Sequence, residues 1–133
     1  MTIIKRFDGI NPRLLNWFFI MQANHPEMHV SEAGRDQETQ EEKFKQKASR
    51  AHWGQSAHNY NCAIDVFCIL DGSHDIYDEK WFHEVLAPEI PDYLEWYGAP
   101  GAEFYELPHL EIRGWKELVK KGFAVLVEKK GDW

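Results

Sequence analysis

The chain has 133 residues, enough for one domain spanning residues 1–133 and too few for a separate targeting module. Hydrophobic residues make up 44%, and six tryptophans and eight phenylalanines supply bulk, so a sizeable core can be buried. Acidic residues outnumber basic ones 22 to 15, for a net charge of -7, which argues against nucleic acid as a partner because that affinity rests on neutralising phosphates with Lys and Arg.

The amino terminus, residues 1–9, lacks the continuous apolar stretch of a secretory signal. The most apolar window, Trp17 to Met21, is far too short to span a bilayer. The expectation is synthesis in the cytoplasm, no export by the general route and no stable membrane association.

Pro12 to Asn24 reads as the first helix, with Asn11 as N-cap and Pro12 at its first position. Leu14, Leu15, Trp17, Phe18 and Met21 form its apolar stripe, and Asn24, His25 and Pro26 end it. Met28 to Ser31 is a short strand. Asp36 to Lys47 is a polar helix with Phe44 as its main buried anchor. Ala48 to Asn61 is a loop, and residues 62–70 form a buried strand rich in apolar and β-branched residues.

Asp78 to Leu86 is a third helix, with Trp81, Phe82 and Val85 facing inward. Leu94 to Tyr97 reads as a strand, as does Tyr105 to Ile112, interrupted by Pro108. Trp115 to Lys121 is a short helix and Phe123 to Glu128 a final apolar segment. Helices and strands interleave irregularly, which favours an α+β fold over a doubly wound parallel sheet.

Cys62 and Cys68 lie six residues apart on one face of their strand, about 20 Å at the usual rise. That is too far for a disulfide, and both read as core packing. Alternation puts Asp65 on the opposite face, with Ala63, Phe67 and Ile69.

That carboxylate stands seven residues after His58, and His109 follows in Glu106-Leu107-Pro108-His109. Two imidazoles and a carboxylate are three good zinc ligands, and three protein ligands with one open position define catalytic rather than structural zinc. The metal acidifies a water in the open position, and Glu106 is then a natural general base. In a straight strand Glu106 and His109 point to opposite faces, so a bend near Pro108 is required, and Glu111, which shares the parity of His109, is the alternative base. For His58 and Asp65 alone, the competing reading is a buried His–Asp hydrogen bond.

The run from Ser56 to Asp65 resembles the SxHxxGxAxD signature of the zinc D-alanyl-D-alanine metallopeptidases, with Ser56, His58, Ala63 and Asp65 matching. The family includes D,D-carboxypeptidases, vancomycin-resistance dipeptidases and phage L-alanyl-D-glutamate endopeptidases. An acidic residue three before a histidine matches Glu106 and His109. Gly34-Arg35-Asp36, with Gln37 and Gln40 behind, looks like the family's arginine turn before a polar helix. The three motifs fall in the family's order over about residues 31–112. The family's glycine after "HNY" is Asn61 here, and Asn is the non-glycine residue that tolerates a left-handed backbone best.

The resemblance implies Zn2+ held by His58, Asp65 and His109, with Glu106 as base and Arg35 as donor to the developing oxyanion. It implies that Ser56 holds the motif loop or contacts substrate, and that Trp96 and Tyr97 line the pocket. The implied fold is a small antiparallel sheet flanked by helices, shared with the hedgehog signalling domain. The other reading of Arg35 is a surface salt bridge to Glu38, Glu41 or Glu42. His52 is a candidate substrate or outer contact, whereas His25, His29, His74 and His83 read as surface or hydrogen-bonded structural residues.

The function so implied is hydrolysis of the L-Ala-D-Glu bond of the peptidoglycan stem peptide by a monomeric phage or prophage lysis enzyme. Such an enzyme accumulates in the host cytoplasm and reaches the periplasm after holin-type release. The alternatives are a D-Ala-D-Ala carboxypeptidase or dipeptidase, and a non-catalytic zinc-binding protein. Asp71, Asp75, Asp78 and Glu79 cluster after the metal strand, but their spacing fits no calcium loop.

Overall fold

The computed structural model describes residues 2–72, 75–102 and 105–128; His74 lies outside the described residues. Four strands, β1 (Met28–Glu32), β2 (Ala63–Cys68), β3 (Leu94–Tyr97) and β4 (Glu106–Ile112), form one antiparallel sheet in the order β1-β2-β4-β3. Helices α1 (Pro12–Asn24), α2 (Gln37–Lys45), α3 (Glu79–Trp81) and α4 (Trp115–Lys120) accompany it, giving the α+β class. No helix among the described residues is long and apolar enough to cross a membrane.

One face of the sheet carries the core. Met28 and Val30 of β1, Ile64, Val66 and Cys68 of β2, Leu110 and Ile112 of β4 and Leu94 of β3 are all buried there. Leu14, Trp17, Phe18 and Met21 of α1 belong to the same core, as do Trp81, Phe82 and Leu86. Each such side chain contributes roughly 1.5–3 kcal/mol through removal from water. Helix α1 starts where its signals put it: the Asn11 side chain accepts a hydrogen bond from the Arg13 amide, and Pro12 fills the first position. The Trp17 indole donates to the Glu89 carbonyl at 2.9 Å, tying α1 to the segment after α3.

That segment departs from the expected regular helix. After Trp81 the chain widens into a π-helical turn over Phe82–Leu86 and then tightens into a 3-10 turn over Ala87–Glu89. The wide turn leaves Phe82 and Leu86 buried and Val85 only partly so. In α2 the expected anchor is also corrected: Phe44 is half-buried with its ring against His52, and Gln40 is the helix's buried residue.

The other face of the sheet carries the polar residues. Alternation along β2 sets Ala63, Asp65 and Phe67 there, opposite Ile64, Val66 and Cys68. Asp65 pairs with His109 of β4 on one side and Glu32 of β1 on the other. Glu32 reaches that row through a bulge at Ser31, since Val30 pairs with Val66 and Glu32 with Asp65. Without the extra residue, Glu32 would face the core. Cys62 and Cys68 are both buried free thiols.

Candidate metal centre and cleft

Three donor atoms from three places in the chain converge on this face. His58 Nε2 lies 3.0 Å from Asp65 Oδ1, His109 Nδ1 lies 3.2 Å from His58 Nε2, and His109 Nδ1 lies 3.3 Å from Asp65 Oδ1. Asp65 and His109 face each other across the β2–β4 ladder, while His58 comes from the 3-10 turn Ala57–Tyr60 just before β2. Ser56 fixes that turn, its hydroxyl capping the His58 amide, and the Asn59 side-chain oxygen accepts from the Ser56 and Gly54 amides.

The hydrogen bonds behind the imidazoles decide which nitrogens carry protons. His58 Nδ1 lies 2.8 Å from the Ala33 carbonyl oxygen, which can only accept, so Nδ1 holds the proton and Nε2 a lone pair. His109 Nε2 lies 2.7 Å from Glu111 Oε1, so its Nδ1 is likewise the lone-pair nitrogen when the ring is neutral. With both rings neutral, two imidazole lone pairs and a carboxylate oxygen face one another, which is unfavourable unless a cation, a proton or a metal ion, joins them.

Metal–ligand bonds of about 2.0–2.2 Å at tetrahedral angles set donors roughly 3.3 Å apart, so the observed triangle fits a small divalent ion. The group His58, Asp65 and His109 could therefore hold a metal ion. The electrostatics agree. Burial opposes the charge on Asp65, but the positive field and hydrogen bonds of the two imidazoles outweigh it and hold the carboxyl well below its usual range. Burial likewise opposes charge on His109, yet the hydrogen bonds it donates to Asp65 and Glu111 push its pKa up to about 10. A site this favourable to a proton favours a cation.

His58 and His109 open onto a cleft of about 420 Å³ that also takes in Arg35, Ser56, Tyr97, Glu106 and Glu111. Glu106 and His109 share the cleft because β4 bulges. Trp96 pairs with Leu110, whereas the next residue, Tyr97, pairs with Glu106, so residues 107–109 loop out between them. Burial pushes the Glu106 carboxyl above its ordinary value, as does the charge of Asp65, partly offset by the nearby imidazoles and Arg35.

Arg35 is 7% exposed and bonds through Nε to Glu32 and through Nη1 to Gln40 Oε1 at 2.9 Å. Its ion partner is thus Glu32 of β1, not the acidic residues of α2. The Arg35 amide also donates to the His58 carbonyl, joining the arginine turn to the metal turn.

Other expected positions separate. Tyr97 stacks near His109 at 6.2 Å between ring centres, and its hydroxyl approaches Glu111 at 3.4 Å. Trp96 points the other way, against the core, with its indole bonded to the Leu107 carbonyl and its ring near His83. His52 is exposed beside Phe44 and Glu41, outside the cleft. Glu111 is engaged on both oxygens, by His109 on one and by the Trp115 indole and the Tyr97 hydroxyl on the other, and so orients a ligand rather than standing free as a base.

Asn61 adopts φ 58° and ψ 27°, the left-handed conformation expected at the motif glycine. The supporting roles of Ala33, Gln40, Asn59 and Glu111 are what sequence reasoning misses. Parity placed Glu111 on the correct face, and the arginine-turn resemblance named Gln40 without giving it a role.

No protein-family model matches the chain, and no curated protein sequence does. Among solved structures, the Serratia marcescens L-Ala D-Glu endopeptidase ChiX superposes with a TM-score of 0.65 at 18% identity, covering 84% of this chain and 86% of that one. The two share a fold.

Proposed function

We propose that this chain is a zinc-dependent peptidoglycan hydrolase that cleaves the L-alanyl-D-glutamate bond of the stem peptide. The observation that carries the proposal is the convergence of His58, Asp65 and His109, with both histidines lining a cleft that also holds Glu106 and Arg35. The shared fold with an L-Ala D-Glu endopeptidase supports the choice of bond.

Zinc on the three ligands would supply a Lewis acid for the scissile carbonyl and lower the pKa of a water. Glu106 removes a proton from the attacking water and returns it to the leaving amine. Its partial burial strengthens it as a base relative to an exposed carboxylate. Arg35 donates to the carbonyl oxygen as negative charge develops there. Its Nε and Nη1 are already engaged, so the guanidinium meets the reaction without having to be ordered first. Glu111 holds His109 in the tautomer that binds metal, and the Ala33 carbonyl does the same for His58. Tyr97 and Ser56 line the cleft beside them.

Mass spectrometry of Gram-negative peptidoglycan fragments after incubation with zinc-loaded protein tests the bond assignment. Stem peptide released with a D-glutamate amino terminus is the expected product. Loss of terminal D-alanine alone would move the protein to the carboxypeptidase reading, and no cleavage despite bound zinc would favour a binding protein.

A further inference from the structure

We infer that Gln40 is a positioning residue that clamps the Arg35 guanidinium and the 48–51 wall of the cleft into one arrangement. The inference rests on the proposed role of Arg35 as oxyanion donor. Gln40 is 0% exposed on a helix whose other residues are at least partly solvated, and it does not line the cleft.

Its amide is fully used. Nε2 donates to Ser49 Oγ at 3.1 Å and to the Ala51 carbonyl at 2.5 Å, while Oε1 accepts from Arg35 Nη1 at 2.9 Å and Asn59 Nδ2 at 3.1 Å. Flipping the amide would set donor against donor at Arg35 and Asn59, and oxygen against oxygen at Ala51. The orientation is therefore unique.

With Glu32 on Nε and Gln40 on Nη1, the guanidinium is held from β1 and from α2 at once, which blocks rotation about its Nε–Cζ bond. The same amide fixes Ser49 and Ala51, which line the cleft with Ala48 and Arg50. Neutrality matters as well. Glu32 already faces Arg35 and Lys43, and a second carboxylate at position 40 would further compensate the charge that Arg35 offers the cleft.

The test joins kinetics to side-chain NMR on zinc-loaded protein. In Gln40→Met, we expect kcat on stem peptide to fall roughly 10- to 100-fold with KM little changed, because the donor is misplaced rather than removed. Zinc content should stay at wild type. The Arg35→Gln/Gln40→Met double variant should be no slower than Arg35→Gln alone, since both changes remove one function. The Arg35 Nη–H protons should give separate signals protected from solvent exchange in the wild type, and should merge and lose that protection in Gln40→Met as rotation about Nε–Cζ is freed.

An unchanged Arg35 signal, or rate losses that multiply in the double variant, would overturn the inference. If the wild type cleaves no stem peptide, the function proposal fails, yet the NMR comparison still decides the clamp. Gln40→Glu preserves size and serves if the methionine variant does not fold. A fall in kcat with Arg35 still protected is expected, and a wild-type kcat would overturn the neutrality requirement.

Discussion

A Cβ on Gly34 would lie 2.4 Å from Oδ1 of Asn61. The left-handed Asn61 fills the space above the residue that precedes Arg35, so a side chain at position 34 would have to displace the Asn61 amide. Gly34 itself has no positive φ; the requirement is one of space. Gly34→Ala should therefore destabilise the fold by about 1–3 kcal/mol. Asn61→Gly should restore most of that loss, since the next neighbour, Val127, is at an ordinary 3.4 Å. Denaturant melts of the two single variants and the double variant check this; additive losses would contradict it.

Glu111 should control metal affinity without touching the metal. Its Oε1 accepts from His109 Nε2 at 2.7 Å, and Glu111→Gln replaces that acceptor with a weaker, neutral one. Zinc affinity should fall roughly 10- to 100-fold, as for other residues behind a histidine ligand. Competition against a fluorescent chelator measures it. Were Glu111 the base instead, the variant would bind zinc normally and lose activity.

The thiols give a prediction free of the proposed chemistry. Burial, with a smaller contribution from the charge of Glu111, pushes the Cys62 thiol from 9.0 up to about 11. The unfolded chain ionises first, so folding stability is intact below pH 9 and declines by about 1.4 kcal/mol per unit towards pH 11. Neither Cys62 nor Cys68 should react with a disulfide reagent in native protein at pH 8, and both should react after unfolding. A native thiol titrating quickly at pH 8 would show that the core opens there.

Much of this was legible in the sequence because the strong signals are local. Asn11 and Pro12 mark the start of α1, and period-two alternation separates Asp65 from the cysteines. Pro108, read with the parity of Glu106 and His109, demanded the distortion that the register of β3 on β4 displays.

What escaped depends on distant partners. Polar patterning sends Gln40 to solvent, and only the fold brings Arg35, Ser49, Ala51 and Asn59 around it. A π turn has no signature in apolar spacing, so Phe82–Leu86 read as ordinary helix. Trp96 and Tyr97 were expected in one pocket, yet adjacent residues of a strand face opposite sides, and the core takes the indole.

The most direct test is a zinc titration of chelator-stripped protein that follows bound metal and stem-peptide cleavage together, with Glu106→Gln alongside. The account predicts that cleavage rises with bound zinc and saturates at one ion per chain. Glu106→Gln should bind the same ion and lose cleavage by about 100-fold or more. Full cleavage by stripped protein, or undiminished cleavage by Glu106→Gln, would contradict it.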